Sequence, residues 1–592
     1  MGPLTEIRSP GVYSERGEVR QTPIVLGESG IVGFVGLCER GPTNTPIVIT
    51  HHSQFYEIFG DLPEGGFLST AVEGFFKNGG KRCYVVRVAH LSGRSFGETA
   101  APASIILQDK NGASSLLVAA SSEGTWGNQI VVSVKRQAPR AQTFLTLDAA
   151  AGDHEVTIRS THGFRPGTLV RIYNEEAQEY RYLEGVSGKM LRWAADEPLG
   201  REMRASAPTY IELVEFELTV STPFRREVFS DLSLKPGSPY FVERVVQERS
   251  SLAVVKLMPS RSPVPDNLPV DLVDAPLTGG QDGLHNVTPD DFIGMGSSPG
   301  NRRGLAALEL VEELDLLAMP DIMWLFQRNA GKDGMPFSTL KDVQVVHDAM
   351  LDQCEMLLDR FAILDSPFPL SPERTREYRL QFDSRFGGLY FPWIHVEHKG
   401  QMVPVPPSGH IAGIFAMCDE KMGVHRPPAN EVIQGAEGLS IVLREEDIGY
   451  LNGEGINCIR STPSRGIRVW GARTVCSDVA NRFVNVRRIL NAITKAVNLN
   501  MHWVVFEPNQ PSLWKTVDRN LTQFLVGLWR EGYLRGMTPE DAFYIKCDDE
   551  TNPPSERNAG RMNVEIGVAP VRPAEFMVLR LAQEMQETEK GG

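Results

Sequence analysis

The sequence predicts a multidomain protein of mixed α/β and α+β class, with a small all-β domain inserted ahead of its middle. Three observations lead there. Over 304–364 the pattern alternates helix, strand, helix, strand, the order of an α/β layer built on a parallel sheet. Over 144–209 short apolar runs are punctuated by Gly, Asn and Asp, as in a small barrel or sandwich. From 461 onward two amphipathic helices lead into short strands of period two. At 592 residues the chain is too long for one core, and three or four domains are expected. The divisions fall at 1–22, 23–143, 144–209, 210–460 and 461–592.

In chain order, 1–22 has no core pattern and holds Pro10, Gly11, Val12 and Tyr13 before a charged run. Taken alone it reads as an unstructured terminus. Strands are expected at 31–37 and 46–50, helices at 54–59 and 68–78, and a buried strand at 83–88. Residues 101–135 are β-rich. Inside 144–209, strands are expected at 156–158, 169–172, 180–183 and 190–193. A Pro-rich linker covers 259–276. Beyond it come helices at 304–314 and 340–360 and strands at 322–326 and 361–364.

The C-terminal stretch carries the clearest periodicity. Val479, Phe483, Val486, Leu490, Ile493 and Val497 recur at spacings of three and four, one stripe of a helix behind an Asp478 cap. Arg482, Arg487, Arg488 and Lys495 lie mostly off that stripe and are expected to face outward. A second helix follows Pro511, with Ser512 as its expected cap, Trp514, Val517, Leu521, Phe524 and Leu528 as its stripe, and Gly532 as its stop. Thr538-Pro539-Glu540-Asp541 opens a further turn, and a strand is expected over 543–547. Met562, Val564, Ile566 and Val568 then alternate with polar or small residues as a half-buried strand. Phe576 to 581, with Val578, reads as another. So few strands cannot bury an apolar face alone, so something must complete the sheet.

Composition bounds the setting. Hydrophobic and charged fractions of 41% and 23% are ordinary for a globular protein. No run of about eighteen apolar residues suggests a membrane span, and no signal-peptide pattern opens the chain. Cytoplasmic synthesis is expected. Seven scattered cysteines fit reduced thiols. A net charge of −14 argues against nucleic acid as the main partner. Between 461 and 546, however, twelve Lys and Arg stand against six Asp and Glu, a local excess of six positive charges. It reads either as a solvated face or as a docking surface for an acidic partner.

The run from Asn558 to Phe576, Asn-Ala-Gly-Arg-Met-Asn-Val-Glu-Ile-Gly-Val-Ala-Pro-Val-Arg-Pro-Ala-Glu-Phe, closely resembles the C-terminus of contractile tail sheath proteins. These occur in contractile-tailed phages, R-type tailocins and extracellular contractile injection systems. Trp470-Gly471-Ala472-Arg473-Thr474, Phe506-Glu507-Pro508-Asn509, the stretch 33–88 and Gly124-Thr125-Trp126-Gly127-Asn128 are similar to the same family. The resemblance implies a subtilisin-like α/β middle domain over 210–460 and a C-terminal sheet completed by strands from neighbouring subunits. The linking residues would be Pro10, Gly11, Val12, Tyr13, Val564, Ile566, Val568, Phe576 and Val578. It further implies a homo-oligomer, helical or of stacked rings, that surrounds an inner tube protein and meets baseplate and terminal cap proteins. Arg482, Arg487, Arg488 and Lys495 become the tube-facing candidates. No nucleic-acid partner, cofactor or membrane insertion is implied. The particle would assemble in a bacterial cytoplasm and act as a virion tail or an injection device. A baseplate or collar component with a similar fold is the alternative.

A subtilisin-like domain calls for a hydrolase test. Gly296-Ser297-Ser298-Pro299-Gly300 matches GxSxG, but Pro299 and Gly300 break the chain where a nucleophile elbow needs a helix. No Asp and His contexts complete a triad. His395, Glu397 and His398 sit in a strand pattern that puts His398 on the other face, so they do not converge on a metal, and His51 and His52 stand elsewhere. Gly27, Gly30, Gly33 and Gly36 repeat as GxxG rather than GxGxxG. Asp548, Asp549 and Glu550 lack calcium-loop spacing and read as a solvated turn. No catalytic, cofactor or metal residues are assigned.

Overall fold

The computed structural model describes residues 23–62, 65–91, 99–294, 298, 300–573 and 575. The expected arm over 1–22 and the strand expected from Phe576, with Val578, lie outside these residues.

Eight strands form the central sheet, in the order Ile47–Ile49, Cys83–Arg87, Val32–Gly36, Leu316–Ala318, Phe361–Asp365, Gly387–Phe391, Ile456–Thr462 and Gly466–Trp470. The six inner strands run parallel, and the strand at each edge is antiparallel to its neighbour. Val32–Gly36, Phe361–Asp365 and Gly387–Phe391 are buried along their whole length, the signature of a parallel sheet covered on both faces. The helices Leu68–Lys77 and Ser408–Met422 pack directly on one another. Gly409 and Gly413 permit it: a Cβ there would fall 2.3 Å from the Ala71 carbonyl oxygen and 2.4 Å from that of Phe75.

Asp321 ties this body together. Its carboxylate accepts hydrogen bonds from the backbone N–H groups of Leu37 (2.6 Å), Phe67 (2.5 Å) and Leu68 (3.0 Å). It thereby joins a strand end, a helix start and its own helix. Complete burial pushes its carboxyl up to about 6, against the downward pull of those three donors.

The α/β alternation is present, with two elements reassigned. The run 322–326 is not a strand but part of the helix Asp321–Asn329, and the strand is the three-residue Leu316–Ala318 before it. A short apolar run fits either structure by periodicity alone. Pro320 ahead of it and Asp321 in its first turn favour the helix. Over 304–314 the chain forms only a 3-10 helix, Gly304–Leu310.

Three further cores flank the body. One lies between a four-stranded sheet (Arg225–Leu232, Phe216–Thr222, Val131–Arg136, Leu272–Pro276) and a three-stranded one (Ala253–Leu257, Ser114–Ala120, Ser104–Gln108). The expected linker over 259–276 thus contributes a strand. A second core belongs to a six-stranded antiparallel sheet, Gln142–Phe144, Tyr210–Val214, Leu169–Tyr173, Gln178–Ser187, Met190–Trp193 and Glu155–Thr157. All four strands expected within 144–209 are there, and two more at its ends reach 142 and 214. The last core gathers the C-terminal helices Val484–Asn500 and Pro511–Arg530. The expected boundary at 461 falls inside the strand Ile456–Thr462, and the strands of 32–87 share the central sheet with 316–470. Residues 23–143 are therefore not one unit. Among the described residues no helix is long and apolar enough to cross a membrane.

Candidate assembly interface

The C-terminal hairpin begins with a well-defined start signal. Thr538 and Asp541 form a reciprocal capping box on the turn Pro539–Ala542. The strand Phe543–Lys546 follows and pairs antiparallel with Glu565–Val568, from Phe543 opposite Val568 to Lys546 opposite Glu565. The intervening loop is held by Asn552, which is fully buried. Its Nδ2 donates to the Asn563 carbonyl at 2.9 Å, and its Oδ1 accepts from the Asn563 N–H at 2.6 Å.

Register divides the hairpin into two faces. Phe543, Ile545, Ile566 and Val568 share one, and with Met562 and Val564 they pack half-buried on the helical core. Tyr544, Lys546, Glu565 and Gly567 share the other. Tyr544 donates to the Glu565 carboxylate at 2.6 Å while remaining 55% exposed. Its ring lies flat on Gly567, where a Cβ would fall 2.1 Å from Tyr544 Cε1. Among the described residues no third strand pairs with either member. Both edges thus lack a strand partner among the described residues and present backbone N–H and C=O groups to another strand.

The first described residues of the chain, and the segment that follows the hairpin, pack against the C-terminal core. Pro23 to Leu26 line a groove of about 550 Å³ with Phe524, Leu528 and Tyr533, and Ile24 is buried in the helical core. At the other end Ala569 donates to Ala542 and Val571 to Tyr533 through the backbone. Asn485 Nδ2 donates to the Val571 carbonyl at 2.9 Å. Arg473 then grips Glu575 with two bonds of 3.0 and 2.5 Å, which places the Trp470–Arg473 segment under the outgoing chain.

The stripe of the second helix is as expected: Trp514, Val517, Leu521, Phe524 and Leu528 are all buried. Pro511 occupies its first turn, Gln510 rather than Ser512 is the capping position, and Gly532 takes the left-handed conformation just beyond its end.

The cationic residues are placed otherwise. Of the four tube-facing candidates, Arg487, Arg488 and Lys495 are 8%, 4% and 9% exposed, and Arg482 is half-buried. Arg488 makes a bidentate pair with Asp419 at 2.6 and 2.5 Å and lies over the Phe415 ring. Burial pulls its pKa down, but the adjacent carboxylate outweighs that and holds it charged. Lys495 donates to Asp315 at 2.9 Å and to the Leu314 carbonyl at 3.0 Å. Arg487 bonds Asn491 and covers Phe386, and burial together with Arg385 lowers its pKa to about 10. The expectation of an outward cationic face is therefore corrected. Val484–Asn500 is wedged between its own apolar core and the α/β body, where Arg488 and Lys495 meet anions of that body and Arg487 lies over Phe386. The missed partners are Asp315 and Asp419. A signal existed: Asp419 directly follows the apolar run Ile411 to Cys418 in the helix Ser408–Met422, and Val484–Asn500 carries three cations but no acid of its own. Exposed cations on the C-terminal unit include Lys515, Arg519, Arg530, Arg535, Arg561 and Arg572.

The remaining motifs do not converge. Ser298 is exposed, pairs with Asn301 and is followed by the 3-10 helix Gly304–Leu310; Gly296, Ser297 and Pro299 lie outside the described residues. His395 and Glu397 share one face of the strand Ile394–His398, whereas His398 lies 3.8 Å from Asp61. Gly33 and Gly36 are interior to a buried strand. Asp548 caps its own loop by accepting from the N–H groups of Glu550 and Thr551. No group of three potential metal ligands occurs among the described residues.

Comparison with known proteins adds to this geometry. A model of the phage tail sheath protein central domain matches residues 334–475, and one of the phage tail sheath C-terminal domain matches 477–584. The chain is 26% identical over 243 residues to a Pseudomonas aeruginosa prophage protein described as a major tail sheath protein, covering 39% of this chain and 60% of that one. It is 25% identical over 303 residues to the tail sheath protein of Escherichia phage P2, covering 50% and 70%. The chain thus spans less than two thirds of the Pseudomonas relative's length. Among solved structures, its fold matches the contracted helical sheath of the anti-feeding prophage (TM-score 0.52, 18% identity, 98% of this chain and all of that one). It also matches a sheath tail protein from Listeria innocua (TM-score 0.51, 11% identity, 89% and 90%). Over residues 334–475 and 477–584 the chain is thus similar to phage tail sheath proteins, and its fold matches solved sheath structures.

Proposed function

We propose that this chain is the structural subunit of a contractile tail sheath. Copies polymerise around an inner tube and, on a baseplate signal, shift from an extended to a contracted packing that drives the tube through a target envelope. The observation that carries this reading is the two-stranded sheet Phe543–Lys546/Glu565–Val568, which has no further strand partner among the described residues. β-Augmentation by Pro10 to Tyr13 of one neighbour, and by the strand carrying Phe576 and Val578 of another, completes the sheet through main-chain hydrogen bonds. The work of contraction then comes from the difference between two packings, and a kinetic barrier holds the extended one.

In this reading the eight-stranded body is the subtilisin-like domain, kept as a scaffold without hydrolytic chemistry. The six-stranded sheet is a decoration on the outer surface. The partners are other copies of the chain, the tube protein, the baseplate and a terminal cap, with no role for nucleic acid or membrane insertion. The particle is built in a bacterial cytoplasm and acts as a virion tail or injection device. Contact with an acidic tube passes to Lys515, Arg519, Arg530 and Arg535, because the cations of Val484–Asn500 are engaged inside the subunit. Negative-stain microscopy of the purified protein tests the reading. Hollow, cross-striated tubes are expected, and discrete monomers at every concentration would oppose it.

A further inference from the structure

The six-stranded sheet has two faces of different chemistry. Thr143, Ile211, Leu213, Val170 and Ile172 turn inward to its own core. Residues one position away turn outward, and register aligns them across four adjacent strands. Phe144 stands opposite Tyr210, Tyr210 opposite Tyr173, and Tyr173 opposite Gln178. Two residues along, Gln142, Glu212, Arg171 and Tyr180 make a second row. Three aromatic side chains thus lie side by side across three strands, backed by a row of planar polar groups.

Two of the three rings are exposed and the third, Tyr173, is half-buried. Phe144 and Tyr210 are 39% and 41% exposed. The Tyr173 and Tyr210 rings are 5.7 Å apart and tilted by 31°. Arg171 sits 4.1 Å from the centre of Tyr173, and Arg159 sits 5.2 Å from that of Phe144. The polar groups are wired together. Gln142 donates to the Tyr173 hydroxyl (3.0 Å), Tyr173 to Glu212 (3.3 Å), and Arg171 to both Glu212 (3.2 Å) and Gln178 (2.9 Å). Arg171 Nε is buried without a partner among the described residues.

We infer that this face is a binding platform for a polysaccharide of hexopyranose units. The C–H faces of pyranose rings stack on flat aromatic side chains, and the exposed Phe144 and Tyr210 offer such surfaces, with Tyr173, itself covered by Arg171, buttressing Tyr210 at 5.7 Å. Sugar hydroxyls, each both donor and acceptor, need planar polar groups at the platform's edge, and Gln142, Glu212, Arg171 and Gln178 supply them. Charge decides against the competing occupants. Arg171 and Glu212 pair within the face, so with Arg159 it carries a single net positive charge rather than the extended cationic surface that a nucleic acid or acidic peptide requires. A solvent-facing aromatic row with no internal function marks an interaction site. On the outside of an assembled particle such a face would be repeated in every subunit, so weak individual affinity would be multiplied many-fold.

The test is saturation-transfer difference NMR on the full-length protein with chitohexaose, cellohexaose and maltohexaose as probes, a method suited to weak ligands of large assemblies. Saturation of the pyranose C–H protons of at least one probe is expected. It should fall at least ten-fold in Phe144→Ala/Tyr210→Ala, whose side chains lie outside the core of the sheet, with far-ultraviolet circular dichroism unchanged. Absence of transfer to all three probes, or transfer that the double variant leaves intact, would overturn the proposal. Loss of tube formation in the double variant would do so too, by assigning the face to a contact between subunits.

Discussion

The residues that most constrain this molecule are buried and charged. Arg488 and Asp419 are both nearly inaccessible and meet in a bidentate pair, with Lys495 and Asp315 a few residues along the same seam. Removing one member leaves an uncompensated charge in a dry site, which costs about 3–5 kcal/mol, whereas replacing both with apolar residues of similar volume is often neutral. Asp419→Ala is therefore expected to destabilise the full-length protein by about that amount in urea unfolding, and Arg488→Met/Asp419→Leu to recover most of it. A loss below about 1 kcal/mol for the single variant would mean that the pair behaves as a hydrated surface bridge. This seam was illegible in the helix periodicity. A stripe analysis assumes one buried face and one wet face, while Val484–Asn500 is covered on two sides. What decides the direction of Arg487, Arg488 and Lys495 is the placement of Asp419 and Asp315, which lie far away in the chain and arrive only with the tertiary fold.

At the scale of elements, patterns that depend on neighbours in sequence were readable. The five-residue stripe of Pro511–Arg530, the Thr538 cap and the four strands inside 144–209 follow from spacing alone. Ile322 to Phe326 did not, because five apolar residues suit a strand or one side of a buried helix equally. The closing strands at 142–144 and 210–214 escaped notice since each is short and pairs with a partner some seventy residues distant. That pairing has a practical consequence. Phe144 lies directly opposite Tyr210, so 145–209 can be replaced by a two-residue Asn-Gly turn that closes a hairpin without moving either strand. The shortened protein is expected to form tubes of normal length by electron microscopy. Its melting temperature should fall by several degrees, because Leu169 leaves the adjacent core along with Tyr180 and Tyr182 packed on it. Soluble, folded protein that no longer assembles would place this sheet among the contacts between subunits.

The whole molecule combines a rigid body with an unfinished edge. Ion pairs fasten the C-terminal helix Val484–Asn500 to the body around the eight-stranded sheet. The hairpin Phe543–Lys546/Glu565–Val568 has its apolar face covered but, among the described residues, no strand partner at either edge. That shortfall was visible in the sequence as too few strands at the end of a long chain, although the placement of Pro23 to Leu26 beside Phe524 and Tyr533 was not. Completion of the sheet by neighbouring subunits is the central claim, and deletion of the arm tests it most directly. The 21–592 protein should be compared with the full-length chain by thermal unfolding and negative-stain microscopy at equal concentration. The account predicts a soluble protein whose cooperative melting is largely kept and which forms no tubes, while the full-length chain forms them. Long, regular tubes built from 21–592 would contradict it.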